Sequence, residues 1–377
     1  MNEALIVSAV RTPIGRSFRG SLVNERPEDL ATFAVKRALA ALPALDPAEV
    51  DDVVIGVGVA SGMQGDCIGR RVAYLAGLRD VPGTTVQRLC ASGLDAIRIA
   101  AQAIRCGEAD VVVAAGVEST SQAQEAQVFH PQLERDHYYW SMAETAENVA
   151  DRWNISREVM DAFALQSQER TAAAQASGFF DREISAYTTA DGTIVTADDC
   201  PRPGSTMEKL AQLQPIVRED GRVTAGNACP VNDAAAAVVL MSDRRAQELG
   251  IAARARVLSS AVTGLDPAIM GVGPIEAVRK ALKRAGLGID DVDVLELNEA
   301  FAAQVLAVAD GLGIEPRSHV LNPHGGGIAL GHPIGATGVR MMATLLNGLE
   351  TVGGRIGVET MCVGGGQGAA MVVERVS

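Results

Sequence analysis

One cysteine stands alone in "QRLCASGLDA" (Gln87 to Ala96), where an apolar run meets a glycine-marked helix start. A helix N-terminus carries roughly half a positive charge, which favours the thiolate of Cys90 and hence nucleophilic attack. A free thiol of pKa about 8.5 is only slightly ionised at neutral pH, so a neighbouring base would add to its reactivity. The plainer reading of Cys90 is core packing. His332 in "GGGIALGHPIGATG" is the candidate base: it precedes Pro333, which suits a first helical turn, and is one of five histidines. Its alternative is a satisfied turn histidine. Cys362 in "ETMCVGGGQGAA" ends an apolar strand ahead of three glycines. It is either a buried strand thiol or a second reactive thiol beside backbone N–H groups that can cradle an anion. "ELNEAFAAQ" puts Asn298 and Glu299 where a strand turns into a helix. Asn298 there is a cap, or a group that positions a water or polarises a carbonyl. "VGGGQG" does not match G-x-G-x-x-G and no P-loop occurs, so nucleotide readings are weak.

Regular elements must carry these residues. "ALIVSAVRT" reads as a buried strand, and "PEDLATFAVKRALAAL" as an amphipathic helix with acids in its first turn. "VDDVVIGVGVA" is a strand running into a glycine-bearing loop. "LDAIRIAAQAIRCG" is a helix with Leu94, Ile97, Ala101 and Ile104 on one stripe and Gly107 as its stop. "ADVVVAAGVES" is a continuous apolar strand, which implies a sheet covered on both faces by helices. The same order then recurs. "PIEAVRKALKRAG" echoes the first helix, "IDDVDVLELNEA" the second strand, "GHPIGATGVRMMATLLNGL" the cysteine-bearing helix and "GRIGVETMCVGGG" the strand after it. Val53 to Cys90 spans 37 positions and Val292 to His332 spans 40, so Cys90 and His332 occupy matching helix starts. A pattern this long occurring twice indicates paired halves rather than a solenoid. We expect a first half over 1–118, completed by a strand and helix at about 231–252, and a second half over 253–377. The polar segment 119–230, with helical patches at "AETAENVADRW" and "REVMDAFALQSQERTAAAQ", reads as an inserted lid.

Composition bounds the rest. The 377 residues are 47% hydrophobic and 21% charged, enough for a substantial core. A net charge of −13 with no basic run disfavours nucleic acid and anionic membranes as partners. An anionic ligand would need a local basic cluster. "MNEALIVSAVRTPIG" lacks the apolar run of a secretory signal, no stretch approaches the ~20 residues needed to span a bilayer, and "ERVS" is no peroxisomal address. Six scattered cysteines without a CxxC disfavour zinc and disulfides; no metal is expected, and the reading is cytoplasmic.

The sites together, rather than singly, are specific. "VRTPIG", "LCASGLDA", "GVES", "TAENVA", "TAGN", "GVGP", "NEAFAAQ", "GGGIALGHPIGATG" and "CVGGGQG" occur in an order that resembles the thiolase family nearly end to end. The resemblance implies a five-layered αβαβα fold of two duplicated halves with an inserted loop domain over the coenzyme A channel. It implies reversible acyl transfer between CoA thioesters, by thiolytic cleavage of 3-ketoacyl-CoA or Claisen condensation with acetyl-CoA, as in β-oxidation. By similarity Cys90 carries the acyl group, His332 assists its deprotonation and Cys362 moves the proton on the acetyl methyl carbon. Asn298 holds a water beside His332 for the enolate, and the N–H groups of Cys90 and Gly364 face the tetrahedral oxyanion. Arg202 matches an adenosine-phosphate contact, while Met142, Met270, Phe301 and Cys229 fall where acyl and pantetheine contacts lie. CoA is a substrate, with no permanently bound cofactor, and the chain is expected to form at least a homodimer along a sheet edge.

Some positions depart from the family pattern. Cys229 stands where many members have serine, Ser141 where some have histidine, and His324 where asparagine is frequent. The stretch between "GVES" and "TAENVA" is short, which weighs against a tetramer. A ketoacyl-synthase-like condensing enzyme is the nearest rival, but such enzymes place histidine or asparagine where Cys362 stands. A catalytically silent CoA- or lipid-binding relative would lose one of Cys90, His332 and Cys362, and all three are present.

Overall fold

The computed structural model of the chain describes residues 2–123 and 129–376. The readings that touch Met1, Ser377 or positions 124–128 of the shortened stretch therefore lie outside the described residues. In chain order the principal elements of the first half are β1 (Ala4–Arg11), α1 (Pro27–Ala40), β2 (Asp52–Val57), α2 (Ile68–Leu75), β3 (Gly83–Val86), α3 (Ser92–Cys106) and β4 (Val111–Ser119). Then come α4 (Met142–Arg152) and α5 (Arg157–Ala176) of the intervening segment, followed by β5 (Asn232–Ser242) and α6 (Asp243–Leu249). The second half follows as β6 (Ala255–Gly264), α7 (Gly273–Ala285), β7 (Val294–Leu297), α8 (Ala302–Leu312), α9 (Ile334–Val352), β8 (Ile356–Val363) and β9 (Gln367–Arg375).

The strand order is β7-β8-β9-β6-β1-β5-β4-β2-β3. Each half repeats one pattern. β1 pairs antiparallel with β5, β5 antiparallel with β4, and β4 parallel with β2. Likewise β6 pairs antiparallel with β9, β9 antiparallel with β8, and β8 parallel with β7. The halves meet where β1 and β6 pair antiparallel through Leu5–Arg256 and Ile6–Ala255. This contact joins the two sheets into one continuous ribbon, which the repeat alone did not foretell.

Three apolar clusters define the layers. α1 and α2 cover one sheet face through Leu30, Val35, Ile68 and Val72 against Val53, Ile55 and Val113. α3 and α9 lie between the sheets, with Ile97, Ile104, Val339 and Leu346 packed on Val112, Val238, Met361 and Met371. α4, α7 and α8 cover the far face, on Leu295, Val358, Ala370 and Val372. The outcome is the five-layered α/β/α/β/α arrangement. β4 is buried at all nine positions because both its faces are covered, as its unbroken apolar run implied.

The intervening segment is fastened to the core by a buried charge pairing. Arg11 on β1 meets Glu183 at 2.7 Å and grips Asp198 through two nitrogens at 2.7 and 3.0 Å. Both acids come from that segment, and such bidentate contacts are directional as well as strong.

A second charged group sits between α9 and the second sheet. Arg340, Glu296 and Glu359 are all buried, and neither the Arg340 guanidinium nor the Glu359 carboxyl makes a direct protein hydrogen bond among the described residues. Burial, opposed by the Arg340 charge, pushes Glu296 up to about 8 and holds Glu359 well above the usual carboxylate range. Both acids therefore hold protons in the fold that the unfolded chain releases above its ordinary value. By linkage, stability falls as pH rises from about 4.5 towards the folded values, at about 1.4 kcal/mol per pH unit for each such group. Glu359→Gln should remove one group's share of this slope between pH 5.5 and 7.5, read from urea unfolding curves of both chains. Equal slopes in the two would show that Glu359 is ionised in the fold.

Candidate functional site

Five segments converge at the N-terminal tips of α3 and α9. Cys90 lies in a 3₁₀ turn (Leu89–Ala91) one step ahead of α3, rather than in the helix's own first turn. Leu89 sits at φ +45°, a left-handed conformation that costs a non-glycine residue about 1–3 kcal/mol and directs the next side chain. The Ser92 hydroxyl secures the turn: it accepts the Arg88 N–H at 2.8 Å and lies 2.7 Å from the Leu89 carbonyl. His332 precedes α9 by the same two positions.

The tips can meet because the helices approach backbone to backbone. A Cβ on Gly338 would stand 2.2 Å from the Leu94 nitrogen, and one on Gly93 would stand 2.7 Å from the Gly335 carbonyl oxygen. Only glycine tolerates such distances.

His332 is almost fully buried and held from three sides. Its backbone N–H donates to Asn232 Oδ1 at 3.0 Å, and its Nδ1 lies 2.7 Å from Thr337 Oγ1. The Thr337 hydroxyl donates to the Pro333 carbonyl at 2.9 Å. With its one proton so placed, the threonine accepts from Nδ1–H, which leaves Nε2 bare. Nε2 faces Asn298 Nδ2 at 3.4 Å. Burial, reinforced by the Arg340 charge, pushes the imidazole down to about 3. A neutral ring whose Nε2 lone pair meets only the long Asn298 amide contact is suited to take a proton.

The thiols are neutral as well. Burial raises Cys90, outweighing the N–H groups of Gly364 and of Cys90 itself that face the sulfur. This corrects the expectation that a helix tip would favour a resting thiolate: desolvation is the larger effect. Cys362, at the end of β8, is fully buried and held well above the ordinary thiol value by burial and by the nearby Cys90 and Cys229. Cys229 is pushed up to about 12, by burial first and by Cys90 second. Three thiols from three segments thus share one region, with Cys362 fully buried and Cys90 and Cys229 partly exposed.

The remaining candidates fall into place around it. Met270 and Phe301 are buried in the same apolar cluster as Cys362, and Met142 and Cys229 pack against that cluster. Met142 also borders Gly364, with its sulfur 3.6 Å from where a Cβ there would be. The Cys229 N–H donates to the Ala300 carbonyl at 3.0 Å, tying its loop to the Asn298 turn. Arg202 lies apart, in a depression of about 360 Å³ lined also by Ser205, Lys209, Leu210 and Leu213. Two departures from the family pattern have structural partners of their own. His324 stacks on Phe179 at 3.6 Å, and Ser141 caps α4 through a reciprocal pairing with Glu144.

Glu118 is a residue whose role sequence reasoning missed. Its buried carboxylate accepts N–H groups of Gly58 and Gly335, each at 2.7 Å, Val59 at 3.2 Å and the Gln64 amide at 2.5 Å. It joins the β2 loop to the first turn of α9. An acid inside a fully apolar strand was the available signal.

Known proteins share this architecture. The family model for the thiolase N-terminal domain matches residues 4–244, and that for the thiolase C-terminal domain matches 251–375. The β-ketoadipyl-CoA thiolase of Acinetobacter baylyi is 43% identical over 402 aligned positions that cover all of both chains. The β-ketoadipyl-CoA thiolase of Pseudomonas aeruginosa is 45% identical, covering 99% of each. The crystal structure of Bacillus anthracis acetyl-CoA acetyltransferase superposes with a TM-score of 0.93 at 39% identity, covering 100% of this chain and 99% of that one. Human mitochondrial 3-ketoacyl-CoA thiolase in complex with CoA gives 0.93 at 38%, covering 100% and 98%.

The electrostatics make a chemical prediction. Iodoacetamide should alkylate Cys90 before the fully buried Cys362, with a rate that rises through a midpoint above the ordinary thiol value of about 8.5. Peptide mapping across a pH series reads both; a midpoint below 7 would mean that Cys90 rests as a thiolate.

Proposed function

Because this chain belongs to the thiolase family, and so catalyses thiolytic cleavage or condensation of CoA thioesters, we propose that Cys90, His332 and Cys362 carry the reaction. The observation that carries the assignment is that Cys90 and Cys362, thiols from opposite halves, lie close enough to influence each other, while α9, which His332 immediately precedes, packs on the turn that bears Cys90.

In the cleavage direction Cys90 Sγ attacks the 3-keto carbonyl of a 3-ketoacyl-CoA, and its proton passes to His332 Nε2. The oxyanion forms opposite the N–H groups of Cys90 and Gly364, donors fixed before charge develops. The carbon–carbon bond then breaks, and the departing acetyl-CoA enolate takes a proton from Cys362. A thiol that burial keeps protonated is matched to that acid role. Asn298, beside His332, holds a water against the enolate oxygen. CoA then gives its thiol proton to the Cys362 thiolate and attacks the acyl-Cys90 thioester. The Cys90–acyl bond breaks as the acyl-CoA forms, and Cys90 recovers its proton from His332, which resets all three groups. Condensation is the same path reversed.

CoA enters as substrate. The Arg202 and Lys209 depression offers local positive charge on a chain of net charge −13, suited to the phosphates of its nucleotide end. Met142, Met270, Phe301 and Cys229 line the pantetheine and acyl path. An acyl chain ending in a carboxylate is a second, finer reading, favoured by the names of the relatives and by the Tyr138 hydroxyl beside Gly365. A cytoplasmic homodimer formed through the exposed edge of β3 completes the proposal, with the 402 aligned positions for 377 residues in keeping with a shortened, non-tetrameric chain.

Acetyl-CoA should leave an acetyl group on the Cys90 peptide by mass spectrometry, and Cys90→Ser should not; an adduct on another residue overturns the assignment. Cys362→Ala should still acetylate Cys90 while losing carbon–carbon bond cleavage by about 10²–10⁴-fold. Undiminished cleavage would remove Cys362 from the mechanism. Comparing kcat/KM for 3-oxoadipyl-CoA with uncharged 3-ketoacyl-CoA substrates decides the chain-end reading.

A further inference from the structure

The segments that bear the reacting groups come from opposite halves of the chain, and one side chain from each joins them. Arg88, two residues before Cys90, directs Nη1 to Oε1 of Gln367 at 3.0 Å. Its Nε is fixed by Asp95 Oδ2 at 3.0 Å, and Asp95 is shared with Arg98 at 2.5 Å. Gln367 closes the glycine run, and its Nε2 lies 3.5 Å from the Gly364 carbonyl oxygen. The Gly364 N–H in turn faces the Cys90 sulfur. The contacts form a ring: Cys90 to Gly364, Gly364 to Gln367, Gln367 to Arg88, and Arg88 back along the chain to Cys90.

We propose that Arg88 and Gln367 are positioning residues, a clamp across the two halves that sets the Gly364 N–H against the Cys90 sulfur. This rests on the reading of Cys90 as nucleophile and Gly364 as oxyanion donor. Gly365 and Gly366 at φ +74° and +79° have no side chains to anchor them, so the run has much conformational freedom to lose. The Val363–Gln367 pairing and the Leu265 N–H bond to the Gly366 carbonyl hold the end of the run, so the clamp acts on Gly364 itself, where a donor displaced by about 1 Å costs on the order of 10²-fold in rate. Glutamine suits the place because its amide accepts from the guanidinium at one end and donates to the carbonyl at the other. Glutamate keeps only the first contact, and methionine keeps neither at similar length.

The test uses the full-length chain and 3-ketoacyl-CoA thiolysis. Gln367→Met and Arg88→Leu should each lower kcat by about 10–100-fold, with KM within about twofold of the starting chain. The double variant should lose no more than the worse single one, because both remove the same clamp. Gln367→Glu should fall between the starting chain and Gln367→Met. Cys90 alkylation should shift to higher pH in the methionine variant as the sulfur loses its N–H partner. Unchanged kcat in Gln367→Met, losses that multiply in the double variant, or losses matched by a parallel fall in thermal stability would overturn the clamp. A chain without an acetyl adduct on Cys90 would instead overturn the reading beneath it, so the two failures are distinct.

Discussion

The site depends on one backbone contact, the glycine-lined approach of α3 and α9 between the two sheets. Gly93, Gly335 and Gly338 leave no room for a Cβ, and Gly116 on β4 meets the Gly335 carbonyl oxygen in the same way, with a virtual Cβ at 2.3 Å. Side chains can repack around a substitution, but two main chains at this separation have nothing to yield. The residues two places ahead of each helix are therefore located by the helix axes themselves. Glu118 strengthens the arrangement by satisfying N–H groups from both the β2 loop and α9. Rigid placement is what a reaction needs when the attacking sulfur, the proton acceptor and the oxyanion donors come from distant parts of the chain.

Close packing also excludes water, and the chemistry follows from that dryness. Burial raises every thiol at the junction and depresses the imidazole, so the resting site holds neutral partners. Charge then arises only as the thioester reacts, opposite donors already in place, where a low dielectric makes their effect largest. The acidic chain manages its buried carboxylates in two ways consistent with this. Burial raises all three, but N–H groups encircle Glu118 and oppose the rise, whereas Glu296 and Glu359 have chiefly the Arg340 charge against it. The positive charges of Arg202 and Lys209, proposed for the CoA phosphates, line a separate depression.

Much of this frame is legible in sequence because it is written in short-range patterns. The buried run of β4, the apolar stripe of α3 and the repeated element order all depend on spacing, and spacing survives in the folded chain. What spacing does not contain is solvent. The helix tip beside Cys90 is legible in the spacing, but the desolvation that outweighs the N–H groups around its sulfur is not. The same limit hid Thr337, whose hydroxyl reads as an ordinary helix residue until its distance to His332 is known. Arg88 and Gln367 were hidden by separation: 279 positions lie between them, and no local signal links an arginine before a cysteine to a glutamine after glycines.

The duplication explains how a symmetric frame supports asymmetric chemistry. Cys90 and His332 each precede their helix by two positions, one the proposed nucleophile and the other the proposed base. The strand ends correspond too. β2 finishes with Val57 opposite Val117, and β7 finishes with Leu297 opposite Thr360. By that register Glu118 and Ser119 occupy the places of Met361 and Cys362. The first half uses the first of these two places for a brace under α9, and the second half uses the next one for a thiol. Exchanging the two would put a carboxylate where a proton must leave carbon and a thiol where several N–H groups need an acceptor, and neither group could serve. The pairing of unlike strand ends is therefore a consequence of sharing one dry junction: one half must hold it together so that the other can be reactive inside it.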